Sequence, residues 1–174
     1  MSNIRQVLFK IVQWGPVSIF FLDHICSVAT VSGRSMQPTF NPDTNLLKRD
    51  KVILNKWSAS RRNYSTGDVV ALKSPIDPNR TVIKRIIAVE GDLVRTFPPN
   101  EDSSLVRIPR GYCWVEGDEP MHSRDSNVYG PVPLGLITAK VSTIVWPPSR
   151  FGSVPRKEIA PGRVYRHVFE ERTI

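Results

Sequence analysis

The sequence predicts a mainly β chain: a compact antiparallel β domain with one N-terminal transmembrane helix. Three observations lead there. Runs that alternate apolar and polar side chains outnumber runs with helical spacing. Fifteen prolines and ten glycines among 174 residues divide the chain into short elements joined by turns. One early stretch, Ile11 to Thr30 (IVQWGPVSIFFLDHICSVAT), is largely apolar, and twenty helical residues span about 30 Å, the thickness of a bilayer core.

At 174 residues the chain is sized for one domain with a real core. The net charge of +8 suits nucleic acid, an anionic membrane surface or merely a basic compartment partner. An RNA-binding signature, zinc-finger spacing and a basic block interleaved with aromatics are all missing, so no nucleic-acid partner is expected. Cys26 and Cys113 are too few for a disulfide framework and show no metal-ligand spacing.

The first ten residues carry Arg5 and Lys10 and no acid, reading as a basic N-terminal tail. Residues 11–30 follow as the membrane anchor, the tail lying on the positive-inside side and the remainder on the other. Asp23 and His24 interrupt the run, and a central charge costs a few kcal/mol, while Gly15 and Pro16 are tolerated in membrane helices. A cleaved signal peptide and an amphipathic soluble helix are rival readings. Against the first, Ala29-Thr30-Val31 is a poor cleavage site and lies almost against Ser35.

Residues 31–148 form the β-rich domain. Gly33 and Pro38 bracket Ser35 and present it from a loop. Strands are predicted at Lys51 to Asn55 and, after the turn Ser65-Thr66-Gly67, at Asp68 to Lys73. Between them Ser58 to Tyr64 reads as a polar, basic connector, and Ser74 to Asn79 as a turn. Thr81 to Asp92 (TVIKRIIAVEGD) holds the next strand, Leu93 to Thr96 a short one, Pro98 to Ser104 a loop and Gly111 to Glu116 a strand. The polar run Gly117 to Gly130 leads to a last strand over Leu136 to Val145, which Trp146-Pro147-Pro148 ends. Residues 149–174, rich in proline and arginine, read as a surface tail or a short packed arm.

Within TVIKRIIAVEGD, strict alternation puts Val82, Lys84, Ile86 and Ala88 on one face and Ile83, Arg85, Ile87 and Val89 on the other. Lys84 thus has apolar neighbours. Desolvation lowers a lysine pKa from about 10.4, by roughly 3 to 5 units when burial is complete, and a neutral lysine is a base. Such a base needs a hydroxyl to activate, and Ser35 on its turn offers one. On an edge strand the same lysine would bend outward and stay charged.

Three separated stretches, SMQPT at Ser35 to Thr39, Lys84-Arg85 followed by Gly91-Asp92, and GD-x4-S-x-DS-x3-G at Gly117 to Gly130, resemble in order and spacing the type I signal peptidases that use a serine and a lysine. The resemblance covers roughly residues 10–148. Lys84 stands where the eukaryotic reticulum type carries histidine, so the chain looks like the bacterial and organellar branch. Its small size and the run DSNVYGPVPLGL look most like the mitochondrial inner-membrane members.

That resemblance implies a fold of the signal peptidase type, with Ser35 as nucleophile and Lys84 as general base. Ser123 would donate a hydrogen bond that orients the Lys84 amine, Asp118 would pair with Arg85, and Asp125 would be a second buried carboxylate. The usual arginine partner of Asp125 is Asn127 here, so that ion pair is absent or replaced, with Arg124 a candidate. Gly33 stands where bacterial members often carry an oxyanion-hole serine, leaving the Ser35 N–H and another donor; loss of one donor costs about 3 to 4 kcal/mol. The resemblance further implies presequence-bearing protein substrates with small side chains one and three residues before the cut. It also implies a lipid bilayer as partner, a heterodimer with a homologous peptidase subunit, a mitochondrial inner-membrane location facing the intermembrane space, and neither cofactor nor metal.

Other chemistries compete. Ser35, His122 and Asp125 are the right types for a triad, but His122 and Asp125 share one polar loop and nothing orients them. Asp118, His122 and Asp125 offer no recognisable metal-ligand spacing. A non-catalytic membrane assembly subunit is a further reading, favoured by Asn127 and opposed by Ser35, Lys84 and Ser123. A self-cleaving repressor-type protease would share the serine and lysine, but the chain lacks a DNA-binding helix pair and has the apolar N-terminal segment.

Overall fold

The structure is a computed structural model that describes residues 2–43, 48–61, 64–97 and 104–166. Helix α1 (Ser2–His24) leads into β1 (Cys26–Thr30). After the Ser35 loop come β2 (Lys51–Asn55), α2 (Lys56–Ser60), β3 (Val69–Lys73), β4 (Thr81–Val89), β5 (Leu93–Arg95), β6 (Leu105–Arg107) and β7 (Tyr112–Glu116). One-turn α3 (Ser126–Tyr129), β8 (Val132–Pro133), β9 (Ile137–Trp146), β10 (Gly152–Ser153) and β11 (Val164–Tyr165) complete the described chain.

All pairings are antiparallel. The main sheet runs β1-β2-β9-β3-β4-β7-β8, with β10 added to β9, and a second sheet runs β11-β5-β6. Strand β9 lies between β2 and β3, so its apolar positions Ala139, Val141 and Ile144 are buried from both flanks. Val31, Met36, Phe40, Val52 and Val69 form one apolar cluster beneath the Ser35 loop. Val70, Leu72, Ile86, Cys113 and Val115 form a second, where burial pushes the Cys113 thiol up to about 12. Ile87, Ala88, Val94, Ile108 and Trp114 form a third under the small sheet.

The observed helix begins and ends earlier than the predicted anchor. Residues 2–10, read as a tail, are helical, and Cys26–Thr30, the end of the apolar run, is a strand whose Val28 and Thr30 pair with Ile53 and Lys51. Apolar content alone does not separate the two states, and β-branched residues facing a waiting strand settle it. No helix among the described residues is long and apolar enough to cross a membrane. Nonetheless Val7, Phe9, Val12, Trp14, Val17, Ile19 and Phe20 are each more than half exposed on α1.

One further expectation changes. The connector at Ser58 to Tyr64 overlaps α2, which Asn55 caps by accepting from Ser58 N–H at 2.9 Å; residues 62–63 lie outside the described chain. The loop predicted over Pro98 to Ser104 lies outside it up to residue 103. Of residues 149–174, the part through 166 is a packed arm, adding β10 and β11 to the two sheets, and 167–174 lie outside the described residues.

Candidate active site

The Ser35 loop is fixed at both ends. Val31 N–H donates to the Asp50 carbonyl at 2.8 Å, and Asn41 Nδ2 donates to the Val31 carbonyl at 2.9 Å. Asn41 N–H reaches Asp50 Oδ2 and Asp50 N–H reaches Asn41 Oδ1, both at 2.8 Å. Asn41 sits at φ 49°, a conformation asparagine tolerates better than most side chains. Met36 and Phe40, almost wholly buried, plug the loop into the first apolar cluster. Ser35 is left half-buried at the top, and among the described residues its N–H donates to no protein acceptor. Gly33 has φ +87°, with nothing within 4 Å of where a Cβ would stand. Its backbone, rather than space, favours glycine over the serine of bacterial members.

Strand β4 supplies Lys84 and Arg85. Lys84 is opposite Val70 and Val82 opposite Leu72, so the lysine lies in register with the second apolar cluster and is only 3% exposed. Burial pulls its pKa below the ordinary 10.5; the Arg80 cation works in the same direction, and the Asp125 and Asp118 charges oppose it. Strict alternation ends at a bulge between Ile86 and Ala88. Ala88, predicted on the Lys84 face, therefore packs with Ile87 in the third cluster, and Val89 joins the second.

Arg85, 1% exposed, donates from Nε and Nη2 to the two Asp118 oxygens at 2.9 and 2.8 Å, from Nη1 to the Gly67 carbonyl at 3.0 Å, and from Nη2 to Thr39 Oγ1 at 3.4 Å. Burial pushes the Asp118 carboxyl up, but hydrogen bonds from Arg85 and Thr39 and the Arg85 and Lys157 charges outweigh it and hold the group below the usual carboxylate range. The pair ties β4 to both the Ser35 loop and the loop after β7.

That second loop carries Ser123 and Asp125. Lys84 Nζ donates to Ser123 Oγ at 2.8 Å, and Ser123 Oγ donates to Asp125 Oδ2 at 2.6 Å. Because the hydroxyl proton goes to the carboxylate, Ser123 accepts from the amine, the reverse of the expected donation. A neutral Lys84 held this way commits an N–H to Ser123 and keeps its lone pair for another proton. Asp125 is itself held by Gly117 N–H at 2.9 Å, by Asn127 N–H at 3.2 Å and by Asn127 Nδ2 at 3.0 Å. Asn127, not Arg124, occupies the place of the missing arginine; Arg124 is exposed.

The two loops touch. Glu119 N–H donates to the Ser35 carbonyl at 3.1 Å. A Cβ on Gly117 would collide with that same carbonyl and with Ser123 Oγ, so only glycine lets the loops approach this closely. Lys84, Ser123 and Asp125 form one hydrogen-bonded chain, and Ser35 adjoins it through backbone; no hydrogen bond joins Ser35 Oγ to Lys84 among the described residues. His122 is exposed with Nδ1 3.9 Å from Glu119, while the Asp125 oxygens are engaged elsewhere, so the triad of Ser35, His122 and Asp125 is not assembled. Among the described residues no three potential metal ligands converge.

A cavity of about 310 Å³ opens at Ser35, lined by Ala29, Val31, Leu54, Ala71 and Ile83, with Arg80 and His122 at the polar side. A larger one, about 520 Å³, lies against Asp118, Ser123 and Asp125 and lacks Ser35. Of the two, the smaller cavity is the one lined by Ser35. Sequence reasoning missed Gly117, Thr39 and the role of Asn127. Gly117 stood within a recognised motif, but its need appears only once two distant loops meet.

Residues 4–98 match the family described as signal peptidase, peptidase S26. Subunit 2 of the mitochondrial inner membrane protease of Schizosaccharomyces pombe is 47% identical over 168 residues, covering 94% of this chain and 91% of that protein. Subunit 2 from Mus musculus is 48% identical over 136 residues, 78% of this chain and 76% of the mouse protein. Subunit 1 from Homo sapiens is 35% identical over 142 residues, 81% of this chain and 82% of the human protein. With that match over more than half its length, and with relatives alike over three quarters or more of each chain, this chain belongs to the signal peptidase family, peptidase S26, and is a serine peptidase.

Proposed function

We propose that this chain is a membrane-anchored endopeptidase that removes N-terminal sorting or signal sequences from translocated proteins, with Ser35 as nucleophile and Lys84 as general base. The observation that carries the reading is a lysine buried to 3% whose amine is oriented by Ser123, itself oriented by Asp125. Neutral Lys84 takes the Ser35 Oγ proton as the oxygen attacks the scissile carbonyl, and the Ser35 N–H faces the developing oxyanion. The lysine returns the proton to the departing amine. Water, deprotonated in turn by Lys84, then attacks the acyl carbonyl, and the proton passes to Ser35 Oγ as the ester breaks. Free enzymes often hold such pairs longer than a hydrogen bond until substrate closes the site.

Ala29, Leu54, Ala71 and Ile83 give the cavity at Ser35 an apolar wall, which suits uncharged substrate residues before the cut. Relatives named subunit 1 and subunit 2 of a mitochondrial inner membrane protease support a heterodimer with a homologous subunit at that membrane. The catalytic domain is proposed to lie on its intermembrane-space side. The exposed apolar residues of α1 support an anchor in the bilayer.

Ser35→Ala and Lys84→Met should each abolish cleavage of a presequence-bearing substrate while the fold is retained. Lys84→Arg should fail as well, since a guanidinium does not become a neutral base. Cleavage retained by any of the three removes the mechanism. Full rescue of a deletion by Ser35→Ala would instead favour a non-catalytic assembly subunit.

A further inference from the structure

The arm after β9 lies beyond the family match and brings basic side chains onto the loops of the site. Arg150 donates to Asp50 Oδ2 at 2.6 Å and to the Thr39 carbonyl at 2.7 Å, bracing the base of the Ser35 loop. Arg163 pairs with Glu116 Oε1, the oxygen that also accepts from Asn127 Nδ2 at 3.0 Å. Between them, Lys157 Nζ donates to the Asp118 main-chain carbonyl at 2.9 Å and lies 3.8 Å from Asp118 Oδ1.

The Lys157 contact falls on the short segment where the two halves of the site are joined. On one side of Asp118, Gly117 N–H holds Asp125; on the other, Glu119 N–H holds the Ser35 carbonyl. The Asp118 carbonyl and the Glu119 N–H belong to one planar peptide, so a tilt of it moves the amide that holds the Ser35 carbonyl, and so moves the nucleophile relative to the Ser123-oriented lysine. We propose that Lys157 is a positioning residue for peptide cleavage, a clamp from the C-terminal arm that sets the spacing between Ser35 and Lys84; this rests on the serine and lysine reading above. Its side chain is half exposed, so it contributes little to folding stability. Its effect belongs in turnover.

The test uses the full chain in mild detergent with its homologous subunit and an internally quenched peptide carrying alanine one and three residues before the cut. Rates are referred to active sites titrated with a serine-acylating reagent. Lys157→Met should lower kcat on the order of tenfold, short of the roughly hundredfold of a 1 Å misplacement, with KM within about twofold and Tm little changed. Lys157→Arg, whose guanidinium reaches the same carbonyl, should recover most of kcat. Unchanged kcat, a rise confined to KM, a Met variant that is unfolded or loses only Tm, or an Arg variant as impaired as Met would each overturn the clamp. Ser35→Ala run alongside separates the two ideas: cleavage that survives it removes the serine and lysine reading, whereas a dead Ser35→Ala beside a normal Lys157→Met removes the clamp alone.

Discussion

As the proposed general base, Lys84 acts only without its proton, which fixes the sign of the pH dependence. Its pKa lies below 10.5, chiefly through burial, and kcat/KM should rise with pH through that lowered value and reach a plateau before an ordinary lysine would lose its proton. Arg80 disfavours the ammonium, so Arg80→Gln should move the rising limb to higher pH; Arg80 is exposed, so the shift should be small and fade in concentrated salt. A shift to lower pH would contradict this electrostatic account. Gly117→Ala should abolish activity, because its methyl group would displace Ser123 Oγ from Lys84 or the Ser35 carbonyl from Glu119. Activity within tenfold of the wild type would show that the loops can part without harm. The sequence made Ser35, Lys84 and the Ser123 to Asp125 loop legible, since their types and order survive in one dimension. Gly117 and Lys157 act only through approach of segments far apart in the chain, and no local pattern announces that.

Among elements, the strands of the central sheet were the most legible, because Val52, Leu54, Val70 and Leu72 alternate or run apolar as half-buried and buried strands do. The two-residue strands β10 and β11 are too short for any periodicity, and β1 was hidden in a run equally apolar on every side. The bulge at Ile87 left no mark, since every side chain from Ile86 to Val89 is apolar and either register reads the same. The Ser35 loop depends less on sequence pattern than on one asparagine. Asn41→Ala removes the bond to Val31 and leaves Asp50 N–H without its acceptor, which should cost about 1 to 3 kcal/mol in a denaturant melt and lower kcat as well. Loss of neither would show that Arg150 and Asp50 hold the loop unaided.

At the scale of the whole molecule, α1 leaves the β body with Val7, Phe9, Val12, Trp14, Val17 and Ile19 exposed, while β1 remains sewn to β2 over five residue pairs. Removing residues 2–24 should therefore spare the β-sheet circular dichroism and release the chain into the carbonate supernatant, where the full chain stays in the pellet. Release of the full chain would count against a bilayer anchor. The basic composition left the partner open, and the site rather than the charge decided among the classes.

Strand β9 also sets a schedule. Since it wedges between β2 and β3, residues 51–73 wait for a segment ending at Trp146 before either strand gains its neighbour on that side. A ribosome must have released most of the polypeptide before the central sheet can zip, and pairings this remote in sequence form slowly, in milliseconds to seconds for comparable β topologies. The newborn chain therefore has a long interval with open strand edges, in which a holding chaperone would keep copies from pairing with one another.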